Sequence, residues 1–196
     1  MRSVVQYLMR WSVALSVALL GCSSPNPKLY AIAPIHGAEQ QTAPRVILLQ
    51  QLGLARYLER SRIVRSSEDY RLDVLENDWW GEPLSEMLSR VLVTELRQRL
   101  PGSTVISEVG AVSARADATI ALDVERLDED SNGTLVLEAQ AGVRFKRRDT
   151  PILRSFRVSV PISSTGTPGE VAAISTAVSR LADGLAAMLV AGPSGR

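Results

Sequence analysis

The chain has 196 residues, room for one domain with one good core. Its 22 Lys+Arg and 21 Asp+Glu leave a formal net charge of +1, which argues against a dedicated nucleic-acid binder, since that would need a clear basic excess to neutralise phosphates. Apolar residues at 45% and charged residues at 22% argue against wholesale disorder, and a single Cys and a single His exclude a disulfide scaffold, a zinc finger or a Cys/His metal cluster.

The first residues read as an address. Arg2 and Arg10 frame a positive region, Trp11 to Leu20 is uncharged, and Gly21-Cys22 follows. About ten residues of helix span about 15 Å, half of a bilayer core of about 30 Å, so residues 1–21 read as a signal peptide and not as a spanning helix. Leu19-Leu20-Gly21-Cys22 resembles a bacterial lipobox, with cleavage between Gly21 and Cys22 and the Cys22 thiol as the acylated atom. Leu20 stands where Ala, Ser or Thr is commoner, and a plain secretory signal with an incidental Cys is the alternative. Loss of Arg2 and Arg10 takes the formal charge from +1 to −1. Ser23 after the Cys, where Asp would favour inner-membrane retention, points to the outer membrane. Residues 22–28 are then an acylated Cys and a Ser/Pro-rich tether, whose Ser23–Lys28 reach at most about 20 Å. Residues 29–192 form the single domain and 193–196 a tail.

Within the body, Lys28–Ala33 alternates and reads as a first strand, His36–Pro44 as a loop and Arg45–Leu49 as a short buried strand. Leu52–Leu58 is ambiguous because Gly53 spoils a helix. Arg62–Ser66 and Tyr70–Glu76 read as strands joined by Ser67-Glu68-Asp69, and Asn77–Gly81 is expected to break the pattern. Pro83 opens a helix with Leu84, Leu88, Val91, Leu92 and Leu96 on one stripe and Glu86, Arg90, Arg97 and Arg99 largely off it. Pro101-Gly102 stops that helix, and Thr104–Ser107 is a short strand.

Next comes the clearest β pattern. Ile120, Leu122 and Val124 alternate with polar partners, then Leu135 through Phe145 alternate, and then Phe156, Val158, Val160 and Ile162. The acidic Asp128-Glu129-Asp130 is expected in the intervening loop, closed by Asn132-Gly133. This antiparallel meander has one apolar side, and the last helix supplies its cover: Thr167-Pro168-Gly169-Glu170 matches a capping box, and Val171, Ile174, Val178, Leu181, Leu185 and Met188 recur at three- and four-residue steps. Arg180 and Asp183 interrupt a membrane-span reading. The fold class is therefore α/β, a mixed and largely antiparallel sheet with two main flanking helices.

No phosphate-binding glycine loop, nucleophile elbow or zinc-protease motif occurs, and any Ser-His-Asp triad would have to use His36, in a loop. No cofactor or metal is called for. The run Lys146-Arg147-Arg148 reads as a solvated hairpin end, with anionic headgroups as the alternative. Arg56, Arg60, Arg62 and Arg65 form a second basic stretch. Trp79 and Trp80 are the only tryptophans after the signal; adjacent side chains point opposite ways, so one is expected to pack on the first helix and the other to stand free as an anchor for a partner, both partly buried being the alternative. Trp79, Trp80, Arg56 and Arg60 are thus the candidate partner contacts.

A lipobox, Tyr30-Ala31-Ile32, Tyr57-Leu58 before Arg62-Ile63-Val64, Trp80-Gly81-Glu82-Pro83-Leu84 opening a helix that ends Leu96-Arg97-Gln98-Arg99-Leu100, Ala116-Asp117, and Asp123-Val124-Glu125-Arg126-Leu127 occur in order. In this the chain resembles the ABC-type transport auxiliary lipoproteins, the PqiC-like outer-membrane group. It departs from their pattern at Gln50-Gln51-Leu52-Gly53 and at Thr176-Ala177-Val178-Ser179. The resemblance implies a fold like the TolB N-terminal domain and a non-enzymatic role. It implies partners in an MCE-domain protein and an ABC permease and ATPase that move lipid between two membranes, with this component docking the periplasmic partner at the outer membrane, its lipid anchor holding it there. Docking a ring-shaped partner implies a homo-oligomer. The competing reading is a carrier or envelope-assembly lipoprotein that binds lipid itself; the charged outward faces, with Asp123, Glu125, Glu138, Gln140, Arg144 and Arg157, speak against it.

Overall fold

The computed structural model describes residues 26–41, 43–66 and 71–192, so the signal, Gly21, Cys22, the Ser67-Glu68-Asp69 turn and the 193–196 tail lie outside the described residues. The strands are β1 (Lys28–Tyr30), β2 (Val46–Leu49), β3 (Gly53–Leu54), β4 (Arg62–Ser66), β5 (Leu72–Trp80), β6 (Thr104–Ser107), β7 (Ala118–Glu129), β8 (Thr134–Phe145) and β9 (Ile152–Pro161). Among the described residues two helices accompany them, α1 (Leu84–Arg99) and α2 (Thr167–Val190). They build two sheets: a small one ordered β1-β5-β4, and a large one ordered β6-β2-β7-β8-β9 with β3 also paired to β7. β2 runs parallel to β6 and β7, β1 runs parallel to β5, and β7, β8 and β9 form the antiparallel meander that the alternation predicts.

The meander's inward rows are closed by α2, whose Ala177, Val178, Leu181 and Leu185 are at most 1% exposed, facing Leu135, Leu137 and Val143 at 0–1%. α2 is long and apolar enough to cross a bilayer by length and composition, but two thirds of its apolar window is buried in the domain, against β8 and β9. α1 packs on α2 and β6 through Leu84, Met87, Leu88, Val91, Leu92 and Leu96, all buried. Burying such side chains contributes about 1.5–3 kcal/mol each before the entropy of ordering is counted.

Several local expectations are corrected. β1 stops at Tyr30, short of Ala33, because the chain then turns onto the helices: the Ile32 N–H donates to Met87 Sδ at 3.0 Å and the Ala33 N–H to Ser175 Oγ at 3.2 Å. β5 runs through Asn77 and Asp78 to Trp80, where a break was expected; β1 on one side and β4 on the other satisfy its backbone, and a bulge absorbs the misfit. The ambiguous Leu52–Leu58 becomes β3 and the start of a 3-10 turn, Arg56–Glu59. Gly53 suits that crossing, since a Cβ there would sit 2.6 Å from Asp123 Oδ1. The acidic residues are not all in a loop: β7 continues to Glu129, and a bulge between Val124 and Arg126 shifts the register so that Leu127 and Asp128 are both buried. The capping box does not form. Gly166, at φ 81°, a backbone conformation that suits glycine, precedes α2, no side chain caps it, and Glu170 turns inward instead.

Candidate functional site

The tryptophan pair separates as adjacent strand residues must. Trp80 is 8% exposed and packs in the core, where it lines a small gap of about 10 Å³ with Leu58, Ile63, Leu84 and Leu127. Trp79 points the other way and is half-buried. In the small sheet Trp79 lies in register with Leu29 of β1 and with Arg62 of β4, so the three form one cross-strand row. The Arg62 guanidinium stands over the Trp79 ring, 5.4 Å from its centroid, and the indole N–H donates to the Glu76 carbonyl at 3.1 Å. Leu29 is 66% exposed. The ring can therefore lose water without orphaning its donor.

Arg56 and Arg60 are exposed at the two ends of the 3-10 turn that leads into β4, and the Trp80 N–H donates to the Ser61 carbonyl, so segment 60–62 runs beside 79–80. Arg65 does not join this surface. It is half-buried, with Nε 2.9 Å from Glu129 Oε2 and Nη2 2.8 Å from Glu170 Oε2. Burial pushes the Glu170 carboxyl up, against the pull of Arg65. Beside it, the Tyr57 hydroxyl donates to Asp128 Oδ2 at 2.6 Å and Arg126 Nε reaches Asp128 Oδ1 at 2.8 Å. Burial and that carboxylate hold the Tyr57 hydroxyl protonated well beyond the usual phenol range. Asp128 and Glu129 are thus committed to structural pairs, and Asp130 Oδ1 accepts the Asn132 and Thr134 N–H groups of the turn.

A second polar cluster surrounds Arg99. Arg99, expected off the apolar stripe, is fully buried between α1, α2 and the incoming segment 31–40. Its Nε donates to Asp183 Oδ1 at 2.6 Å, Nη1 to the Ile35 and Glu95 carbonyls at 3.2 and 3.3 Å, and Nη2 to the Ser179 carbonyl and Oγ at 3.1 and 2.7 Å. All five guanidinium N–H groups have an acceptor. Glu95 accepts the Ile35 N–H at 2.8 Å, and Gln98 brackets Gly37, accepting its N–H at 2.8 Å and donating to its carbonyl at 3.0 Å. Gly37 lies so close to the Arg99 guanidinium that any Cβ would collide with it. A signal was present in the spacing: Val91, Glu95 and Arg99 recur every four residues on the flank of the buried stripe. His36 is exposed on this strap, and Lys146-Arg147-Arg148 lies at the exposed turn after β8. Among the described residues no group of three or more His, Cys, Asp or Glu could hold a metal ion.

The surface of the described residues includes two open grooves. One of about 460 Å³ lies between the outer side of α1 and segment 106–112, with Val109 and Val112 exposed. The other, of about 410 Å³, lies on the open face of the large sheet, over the row Ala121–Gly142–Leu153.

The arrangement is shared with solved structures. A crystal structure of an uncharacterised protein superposes with a TM-score of 0.71 at 18% identity, covering 83% of this chain and 98% of that one. A Xanthomonas campestris protein of the DUF330 family gives 0.70 at 22% identity, covering 83% and 95%. Two helices on mixed sheets in this order define the fold class, and the identities are low enough that the likeness is one of fold. The family model for the ABC-type transport auxiliary lipoprotein component matches residues 29–186, and the chain belongs to that family. Membership implies association with a membrane. The chain is 28% identical over 118 residues to the intermembrane transport lipoprotein PqiC of Escherichia coli (strain K12) and, to the same degree, to that of Shigella flexneri. The match takes in 57% of this chain and spans about 63% of the length of those curated relatives.

Proposed function

We propose that the protein is a non-enzymatic, outer-membrane lipoprotein component of an MCE/ABC-type intermembrane lipid transport system, anchored through Cys22 and docking the periplasmic substrate-binding partner at that membrane. The observation that carries the reading is the family match over residues 29–186. The packing supports an adaptor over a lipid carrier: the apolar side of the meander is filled by the chain's own helices, with Ile120, Leu135, Val143, Ala177 and Leu185 all at 0% exposure. The outward face of the meander carries polar pairs, Arg157 of β9 with Glu138 of β8 and Gln140 with Glu125, beside the apolar row Ala121–Gly142–Leu153.

Docking a partner that bridges two membranes is most simply done by a ring, so the proposal includes weak self-association through head-to-tail contacts. The test is purification of the full-length chain from detergent-solubilised membranes. An MCE-domain protein and an ABC permease and ATPase are expected to co-elute. Cys22→Ala is expected to move the protein to the soluble fraction, because it deletes the acylated thiol. A Cys22→Ala chain that stays bound after a carbonate wash would remove the anchor. A chain that elutes alone and carries bound lipid would replace the adaptor with the carrier.

A further inference from the structure

We infer that the Leu29–Trp79–Arg62 row is a bilayer-contacting face, which seats the domain in a fixed orientation on an anionic membrane surface next to its own anchor. The inference rests on the reading of Cys22 as the acylated residue and assigns the half-buried Trp79 to lipid instead of to a protein partner.

The first argument is chain length. Six residues separate Cys22 from Leu29, seven steps along the chain, so the row lies at most about 25 Å from the anchored sulfur. A domain of this size is about 40 Å across. The tether is therefore shorter than the body it holds, and it keeps the side carrying β1 within about 25 Å of the membrane, near enough for that side to meet it. That side is the small sheet, whose strand β1 begins at Lys28, where the tether ends.

The second argument is chemistry. Leu29 is exposed and apolar, and Trp79 is an aromatic ring with its N–H already satisfied by Glu76. Arg62 stacks on that ring, and Arg60 is exposed one turn away. An aliphatic residue and a tryptophan flanked by arginine is the combination that suits the headgroup layer: the ring and the leucine enter the acyl boundary while the cations remain with phosphate. Segment 56–62 carries three arginines against Glu59 alone, so the row has a cationic rim on that side. A protein partner that spans the periplasm would approach from the opposite side, which the tether leaves free.

The arrangement makes a direct experiment available, because the mature chain contains only Trp79 and Trp80. The full-length lipidated protein is reconstituted in vesicles of phosphatidylethanolamine and phosphatidylglycerol, with or without brominated acyl chains, and tryptophan emission is recorded. Trp79 is expected to be quenched, with total emission falling by roughly a third or more. In Trp79→Phe the remaining Trp80 is expected to show no bromine dependence. Arg60→Glu with Arg62→Glu is expected to reduce the quenching while the chain still sediments with vesicles through its anchor, and thermal melts of each variant report folding. An anchored, folded protein whose Trp79 ignores bromine overturns the inference and leaves the anchor intact. Trp79 emission that responds only to an added periplasmic MCE protein also overturns it, in favour of a protein interface. A wild-type chain that does not sediment with vesicles removes the anchor reading and the inference with it, and is distinguished by that sedimentation.

Discussion

Replacing Arg99 with Met isolates the energetic role of the buried cluster. Methionine keeps the aliphatic stem and removes five donors. Three of the partners suffer differently. Asp183 has a side chain 52% exposed, so it can recover water, and its loss is worth no more than an exposed pair, about 1 kcal/mol. Ser179 Oγ, which accepts from Arg99, loses that donor but is a neutral hydroxyl with a smaller desolvation cost. Glu95 cannot recover anything: its side chain is 0% exposed and its Oε2, 3.8 Å from Arg99 Nη1, has no hydrogen-bond partner. Removing the cation leaves a buried carboxylate uncompensated, and such losses cost about 3–5 kcal/mol. For a domain of this size that corresponds to a fall in Tm of about 6–20 °C.

The sign of the pH dependence follows from Glu95. Burial pushes its carboxyl up, and the Ile35 N–H and Arg99 pull it part of the way back. A carboxylate raised in the folded state opposes folding when ionised. The penalty is absent below the unfolded-state value of about 4.3 and grows as pH rises through the folded value. Without Arg99 the folded value rises further, so Arg99→Met is expected to lose more stability at pH 8 than at pH 5. Adding Glu95→Gln is expected to return part of the loss at pH 8. Urea unfolding of the purified protein at both pH values measures this. An Arg99→Met protein with wild-type stability at pH 8, or a deficit that widens on acidification, would refute the reasoning.

Trp80→Ala is expected to cost about 3–5 kcal/mol, as a large core truncation, and Trp79→Ala less than about 1 kcal/mol, since its ring is half-buried on the surface; thermal melts compare them. Gly37→Ala is expected to destabilise by about 1–3 kcal/mol because its Cβ collides with the immobilised Arg99 guanidinium; the same change in the Arg99→Met background should cost less, and a double-mutant cycle reads the difference. Glu170→Gln is expected to flatten the pH dependence of stability. Its buried carboxyl is raised by burial, so in the native protein that stabilising contribution is fullest in acid and declines as pH rises through the folded value.

The parts of this molecule legible in the sequence are those governed by local periodicity. Ile120, Leu122 and Val124, or Leu135, Leu137 and Ala139, face one way because strand side chains alternate, and the α2 stripe follows from 3.6 residues per turn. The separation of Trp79 from Trp80 is the same geometry. What depends on chain segments far apart was not visible. The extension of β5 through Asn77 is decided by β1 and β4 on its two sides, and the fate of Glu170 by Arg65, 105 residues away in sequence, which takes the carboxylate that a capping box would have used. Arg99 shows the limit most directly. Its charge marked it for the surface, and its helical position placed it on the flank of the apolar stripe. Only the tertiary structure, by bringing Ile35, Ser179 and Asp183 around it, satisfies a buried guanidinium, because the acceptors that offset its desolvation lie up to 84 residues away along the chain.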